Sequence, residues 1–543
     1  MFLMFKLPAL PALLLAVTVS IPALAKDSTK TSAKTETTAA VTPSDSTTEG
    51  VWTAGGQHVA YTAVAGTITV GATASQDAEL GVDGKPLPDS PASLVKNAAD
   101  APPTASIFYV AYFKKGADPT TRPITFFYNG GPGSSTVWLH MGSFGPVRVS
   151  TPGDQHLPAA PYKLEPNPYS LLDTTDLVFI DAPGTGFGRF FGKDPQKAFW
   201  GVDEDGHAFA RFITRFLGKY GRWNSPKYLF GESYGTTRSA VLVNMLENDK
   251  DIDVNGVILL SQIFDFSSDI DSPGANPGID LPYETALPTY AATAWYHHKL
   301  PNQPADLLPF LKEVEAFAMG PYTQALQQGT DLPDAQKQAI AEKLHDYTGL
   351  PVKYLLRADL RVSGPEFSKN LQLGSDLTTG RLDTRFSGPS LNPLSRDAEY
   401  DPQSSAISSA YISAFNNYVR NVLKYGANLS YLPEANIGVG SPQWDMKHNG
   451  NEINTNVAVD LATAMKTNPR LKVMVNGGYF DLATPFYAAW YEDKHLPIPD
   501  SLAKNIQYDW YKSGHMVYVN EQSLKQLHAN VEAFIRSTDA GNM

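Results

Sequence analysis

A serine set in Gly231-Glu232-Ser233-Tyr234-Gly235 has the surroundings a nucleophile needs. The Gly-x-Ser-x-Gly spacing suits a tight strand-to-helix turn. Small flanking residues let the strand and helix approach closely, and the serine is held in a strained conformation with its hydroxyl raised. The helix that follows directs its N-terminus at developing negative charge. An ordinary Gly-rich turn has the same spelling, so the flanks decide. Tyr228-Leu-Phe230 reads as a strand before it and Thr236 to Leu246 as a helix after it. A serine hydroxyl is a weak nucleophile near neutral pH and needs a base, itself oriented by an acid. In the chain order Ser, acid, His, Asp481 follows the strand run Leu471–Val475 and the turn Asn476-Gly-Gly478. Three histidines come after it. His495 lies in a charged, Pro-flanked segment, His528 in the final helix, and His515 in Ser513-Gly-His-Met516 directly after strand text. Position selects His515 as the base.

Other chemistries find little support. Asp265, Asp269 and Asp271 do not follow a calcium-loop spacing. His297 and His298 are adjacent, so on a helix their side chains diverge and do not make a metal pair. There is no convincing phosphate or dinucleotide fingerprint. The chain has no cysteine, which excludes disulfides, thiolate nucleophiles, Cys-zinc sites and iron–sulfur clusters. No cofactor and no metal are expected. The net charge of −12, without a long basic stripe, argues against nucleic acid and anionic membrane surfaces as partners.

The elements that must position these residues read as an α/β sheet. Ser106–Phe113, Pro123–Tyr128, Asp176–Ile180, Val254–Leu260, Leu471–Val475 and Asn505–Tyr511 are apolar or β-branched runs. Helical spacing follows in Ala208–Tyr220 and near Glu521–Arg536. Buried strands alternating with helices, with Gly-rich turns after the strands, predict a mostly parallel central sheet. Thr67-Ile-Thr-Val70 suggests earlier strands. Residues 266–440 are helical text broken by Pro and Gly, with candidate helices Asp334–Tyr347, stopped by Gly349, and Ser404–Tyr425, stopped by Gly426. This block is read as a largely helical insertion, or cap, between core segments 50–265 and 441–543.

The N-terminus carries Lys6, an apolar stretch Leu10–Leu24 and the small-x-small pattern Ala23-Leu-Ala25. Residues 1–25 therefore read as a signal peptide cut before Lys26, implying export to the periplasm or beyond. Residues 26–49, rich in Thr, Ser, Ala and Lys, read as a disordered linker, with order starting near Val51. No later run is long and apolar enough for stable membrane insertion.

Asn129-Gly-Gly-Pro-Gly-Ser-Ser135, Gly231-Glu-Ser-Tyr234 and Gly514-His-Met516 resemble the three signature regions of the serine carboxypeptidases, which have the α/β-hydrolase fold. Asp181-Ala-Pro-Gly-Thr-Gly-Phe187 resembles a fourth segment of that family, one residue shorter here. The resemblance covers about residues 106–265 and 470–535; the cysteines common in eukaryotic members are absent, with Ser134 in place of one, which together with the signal and linker suggests a bacterial member. It implies a catalytic triad of Ser233, Asp481 and His515 and an oxyanion hole from the N–H groups of Gly131 and Tyr234. It implies that Asn129, Gly130 and Glu232 recognise the free C-terminal carboxylate of peptide substrates. A protonated Glu232 would share its proton with that carboxylate, which favours acidic pH. One departure stands against strict carboxypeptidase specificity. Many members place an acid shortly after the Asn-Gly-Gly-Pro-Gly loop, where this chain has His140-Met-Gly-Ser-Phe144. An esterase or acyltransferase on the same scaffold, or a non-catalytic binding protein, are the alternatives.

Overall fold

The computed structural model describes residues 44–95, 97–435, 437, 441–450 and 455–539. The expected signal peptide and most of the expected linker lie outside these residues. Order begins earlier than expected: strand β1 spans Ser46–Ala54 and so starts within the last four residues expected as linker. Its Thr-rich text is competent for a strand, and it pairs antiparallel with β2 (Gln57–Gly71) across a turn at Gly55 and Gly56, both at positive φ. Trp52 secures this hairpin by burying its ring and donating from Nε1 to the Asn167 carbonyl at 2.6 Å.

The remaining strands of the central path are β3 (Thr104–Lys114), β4 (Ile124–Tyr128), β5 (Asp176–Ile180), β6 (Lys227–Glu232), β7 (Gly256–Leu260), β8 (Lys472–Gly478) and β9 (Ile506–Tyr511). Their order is β1-β2-β3-β5-β4-β6-β7-β8-β9, and a short strand Arg189–Phe191 pairs off the path with β3. The first three strands run antiparallel to their neighbours. From β5 to β9 every pairing is parallel. This is the mixed, mostly parallel sheet of an α/β-hydrolase, and its parallel strands are apolar on both faces because both faces are covered. In β5, Leu177 and Phe179 enter one core while Val178 and Ile180 enter the other. Helices α1 (Val202–Tyr220) and α2 (Tyr234–Asp249) cover the second face.

The insertion contains helices α3 (Leu281–Tyr296), α4 (Leu307–Phe317) and α5 (Asp334–Thr348), which build a third apolar cluster of their own. Phe480, Leu482 and Phe486 join that cluster, so the insertion packs directly on the segment around Asp481. Helix α6 (Pro402–Asn421) departs from the expectation of a single insertion spanning 266–440. Its Ile407, Tyr411, Phe415 and Val419 lie in the first sheet-face core together with Phe127, Phe179 and Phe230, so it is a core layer helix. It also ends before Gly426. The chain leaves the helix after Asn421, turns through Lys424 at φ 57°, and buries Tyr425 against Phe108 and Phe187. The last helix, α7 (Glu521–Thr538), packs its Leu524, Leu527 and Val531 on the same face as α6, and Asn520 caps its start. Among the described residues no helix is long and apolar enough to cross a membrane.

Candidate active site

The C-terminal ends of β4, β6, β8 and β9 carry Asn129–Gly133, Ser233, Asp481 and His515, the edge at which parallel α/β sheets place their ligands. Ser233, Glu232, Asn129, Gly130, Gly131 and His515 line one cleft of ≈ 280 Å³. Asp481 lies behind His515, fully buried. With Tyr234 directly after Ser233 at the start of α2, the structure brings together all eight residues singled out from the sequence.

Ser233 stands between β6 and α2 with φ 85° and ψ −124°, a conformation that a non-glycine residue adopts only when its surroundings impose it. Several bonds impose it here. The Ser233 N–H donates to the Leu260 carbonyl at 2.9 Å, and the Ser233 carbonyl accepts from the Thr236 N–H at 2.7 Å. A Cβ on Gly231 would overlap the Gly235 backbone, which is why the turn needs small residues on both sides of the serine.

His515 Nδ1 meets Asp481 Oδ2 at 2.8 Å, leaving Nε2 available to the cleft. Asp481 is itself fixed. Its Oδ1 accepts from the N–H groups of Ala483 (2.9 Å) and Thr484 (3.0 Å), and its Oδ2 accepts from the Thr484 hydroxyl (2.7 Å). Burial alone would lower the imidazole pKa, but the adjacent Asp481 carboxylate outweighs it and holds His515 above its ordinary value. Ser233 and His515 face the same cleft without a direct hydrogen bond between them, a spacing common before substrate closes such a pair. This arrangement can activate a hydroxyl, accept its proton and return it to a leaving group.

The Tyr234 N–H opens a 16-residue helix and has no intrahelical acceptor, so it is free to stabilise an oxyanion. The Asn129–Gly133 loop lies against this turn. A Cβ on Gly130 would come within 2.7 Å of the Glu232 carbonyl and overlap the Tyr234 N–H. Gly131 sits at φ 109°. Gly130→Ala is therefore expected to push the Gly131 N–H off station and lower kcat roughly 10²- to 10³-fold, the usual effect of losing one oxyanion donor. Steady-state kinetics with circular dichroism to verify the fold checks this, and an unchanged kcat would remove Gly131 from that role.

Glu232 is 3% exposed, and its Oε2 has no hydrogen-bond partner among the described residues. Burial, the largest influence, pushes its carboxyl up to about 7, while the imidazole of His515 acts in the opposite sense. Asn129 accepts from the Leu139 N–H through its side-chain oxygen at 3.1 Å, which leaves its amide nitrogen for Glu232 and the cleft. The stretch where an acid was missing supplies nothing to this cleft: His140 stacks on Phe179 at 4.3 Å, bonds the Tyr112 hydroxyl at 2.7 Å, and is kept neutral by burial.

Sequence reasoning missed several supports. Thr484 fixes the Asp481 carboxylate; an Asp that accepts from the N–H groups two and three residues on is a local turn signal available in Asp481-Leu-Ala-Thr484. Arg238, buried against Asp205 at 2.6 Å, donates to the Asn129 carbonyl at 2.8 Å and holds the start of the glycine loop. No sequence signal ties these distant positions together.

A family model described as serine carboxypeptidase matches residues 98–525. "Serine carboxypeptidase S10 family member 1" from Dictyostelium discoideum is 30% identical over 132 residues, 24% of this chain and 29% of that protein. "Carboxypeptidase Y homolog" from Arthroderma benhamiae is 28% identical over 194 residues, 34% of this chain and 36% of that protein. The chain thus aligns with about a third of the length of these relatives. Among solved structures, a proline iminopeptidase from Mycobacterium smegmatis is 12% identical, with 81% of this chain and 97% of that chain covered and a TM-score of 0.34. The glycine loop, the serine turn, and the Asp481 and His515 loops all fall within the matched span, and the chain belongs to the serine carboxypeptidase family.

Proposed function

We propose that this protein is a serine-type carboxypeptidase that removes C-terminal residues from peptides through an acyl-enzyme intermediate. The reading rests on one observation above all. A buried carboxyl with an unpartnered oxygen, Glu232, sits beside Ser233 in the same cleft as Asn129 and Gly130. A carboxyl that stays protonated to about pH 7 is an unusual neighbour for a nucleophile, but a suitable donor to a substrate carboxylate. In this reading Ser233 Oγ attacks the carbonyl carbon of the last peptide bond, and His515 Nε2 takes the hydroxyl proton. The N–H groups of Gly131 and Tyr234 stabilise the oxyanion. His515 then gives the proton to the departing amine, and water resolves the ester by the same route. Asp481 keeps the imidazole in the tautomer this requires. The enzyme is exported, needs no cofactor and favours acidic conditions for binding.

An N-blocked dipeptide offered across pH 5 to 8 as free acid and as amide tests this. A hydrogen bond to a charged group is worth about 1.5–3 kcal/mol, so at pH 5 the free acid is expected to have a kcat/KM roughly 10- to 100-fold higher. The second reading, an esterase or acyltransferase, is favoured by the missing acid after the glycine loop, where His140 is buried against Tyr112 and lines no part of the cleft. Equal cutting of acid and amide, or cutting of simple esters alone, would establish it instead.

A further inference from the structure

The five residues Arg381–Arg385 lie between the insertion and the core, and they touch both loops that carry the acid and the base. On the Asp481 side, the Leu482 N–H donates to the Arg381 carbonyl at 3.1 Å. The Thr384 N–H and hydroxyl both donate to the Phe480 carbonyl, at 2.9 and 3.1 Å. On the His515 side, the His515 N–H donates to the Leu382 carbonyl at 2.7 Å, and the Gly514 N–H to Asp383 Oδ2 at 3.1 Å. Arg385 donates to the Lys512 carbonyl at 3.3 Å and to the Ser513 hydroxyl at 3.2 Å.

The segment is anchored behind as well. Asp401 Oδ1 accepts from the N–H groups of Arg381 (2.7 Å) and Leu382 (3.3 Å). The Thr384 hydroxyl bonds Thr293 on α3 at 2.6 Å, and His297, just past that helix, bonds the Thr384 carbonyl at 2.7 Å. Asp383 and Arg385 are 1% and 7% exposed and form a two-pronged pair at 2.5 and 2.9 Å. A Cβ on Gly514 would overlap the Asp383 side chain and the Leu382 carbonyl, so the glycine before His515 is there to admit this segment.

We propose that Arg381–Arg385 is a strap through which the insertion sets the spacing of Asp481 and His515, with Asp383 and Arg385 as positioning residues. Neither side chain lines the cleft, so both act through the His515 loop: Asp383 through the Gly514 N–H, and Arg385 through the Lys512 carbonyl and the Ser513 hydroxyl. The proposal rests on the triad reading above. Removing Asp383 as an acceptor frees the Gly514 N–H, and removing the guanidinium fork releases Lys512 and Ser513. Both let His515 drift while Asn129, Gly130 and Glu232 keep their places.

The test uses the full chain carrying Arg385→Met, Arg385→Lys or Asp383→Asn, with Ser233→Ala as control, assayed on the free-acid dipeptide. Small displacements of a reacting group cost up to about 10²-fold, so Arg385→Met and Asp383→Asn are expected to lower kcat roughly 10- to 100-fold. KM should stay within about threefold, and Arg385→Lys should recover part of kcat because it keeps a donor. Near-UV circular dichroism gives the folded fraction. If Arg385→Met does not fold, the near-isosteric Asp383→Asn decides. Folded variants with wild-type kcat, or a loss shared equally by kcat and 1/KM, would overturn the proposal. Hydrolysis that survives Ser233→Ala would instead remove the triad reading on which it stands.

Discussion

Ser233→Ala is expected to lower peptide hydrolysis by about 10⁶-fold, and Asp481→Asn by about 10⁴-fold, with the fold intact in both. The ranking follows from what each residue touches. Ser233 supplies the bond-forming oxygen, so nothing replaces it. Asp481 touches only the imidazole and its own loop: His515 Nδ1 at 2.8 Å, and the Ala483 and Thr484 groups. An asparagine there preserves size but can turn its NH₂ toward Nδ1, which stabilises the tautomer with the proton on Nε2 and removes the base from the serine. The double variant should be no worse than Ser233→Ala alone, because the three residues act as one unit. The measurements are steady-state rates and mass spectrometry after reaction with an organophosphonate probe. Wild type should gain one label on Ser233, Asp481→Asn should gain it far more slowly, and Ser233→Ala should gain none. A label on another serine, or a Ser233→Ala variant within tenfold of wild type, would end the triad reading and leave the cleft as a binding site.

The parts of this site legible in the sequence are those whose physics is local. A nucleophile turn needs glycine at Gly231 because strand and helix backbones meet there, and the Gly130 position is just as crowded. Parallel strands read as unbroken apolar runs because both faces are buried, as in 177–180. The residues that missed are those fixed by tertiary contact. Helix Pro402–Asn421 reads as part of the insertion from its neighbours in sequence, yet its Tyr411 and Phe415 face the central sheet, a choice made only once the sheet exists. Helix length failed at Gly426 for a similar reason: burial of Tyr425 ended the helix before the glycine could. Ser46–Gly50 has the polar composition of a linker but gains order from pairing with β2, since each residue added to a ladder needs a partner strand rather than an intrinsic preference. The strap at Arg381–Arg385 had no signature at all, because, its local bonds and those to Asp401 aside, its bonds run to residues 87 to 232 positions away in both directions.

Glu232→Gln should separate carboxylate recognition from the chemistry. The cleanest readout is the dissociation constant of a free-acid dipeptide in the Ser233→Ala background, where no turnover intrudes. The carboxyl of Glu232 is held up near pH 7 by burial, and the groups facing it are His515, Asp481, Asn129 and Tyr518. A peptide carboxylate is ionised throughout pH 5 to 8. Below pH 7 Glu232 is protonated and donates to it; above pH 7 Glu232 ionises and repels it. If only the protonated form binds, affinity scales with the protonated fraction, and binding at pH 8 should be about tenfold weaker than at pH 5. His515 also loses charge as pH rises and weakens the site in the same direction, so the wild-type slope alone does not assign the effect. The glutamine variant does. It is neutral at every pH and keeps a donor, so its pH 5 affinity should lie within a few-fold of wild type. By pH 8 it should bind about tenfold more tightly, retaining only the shallow slope due to His515. The amidated peptide should show no such crossing, since an ionised Glu232 can accept from its NH₂. Parallel slopes with and without the Glu232→Gln substitution would mean that His515 alone sets the pH dependence, and the carboxylate would then have to be held by Asn129 and Gly130 without a shared proton.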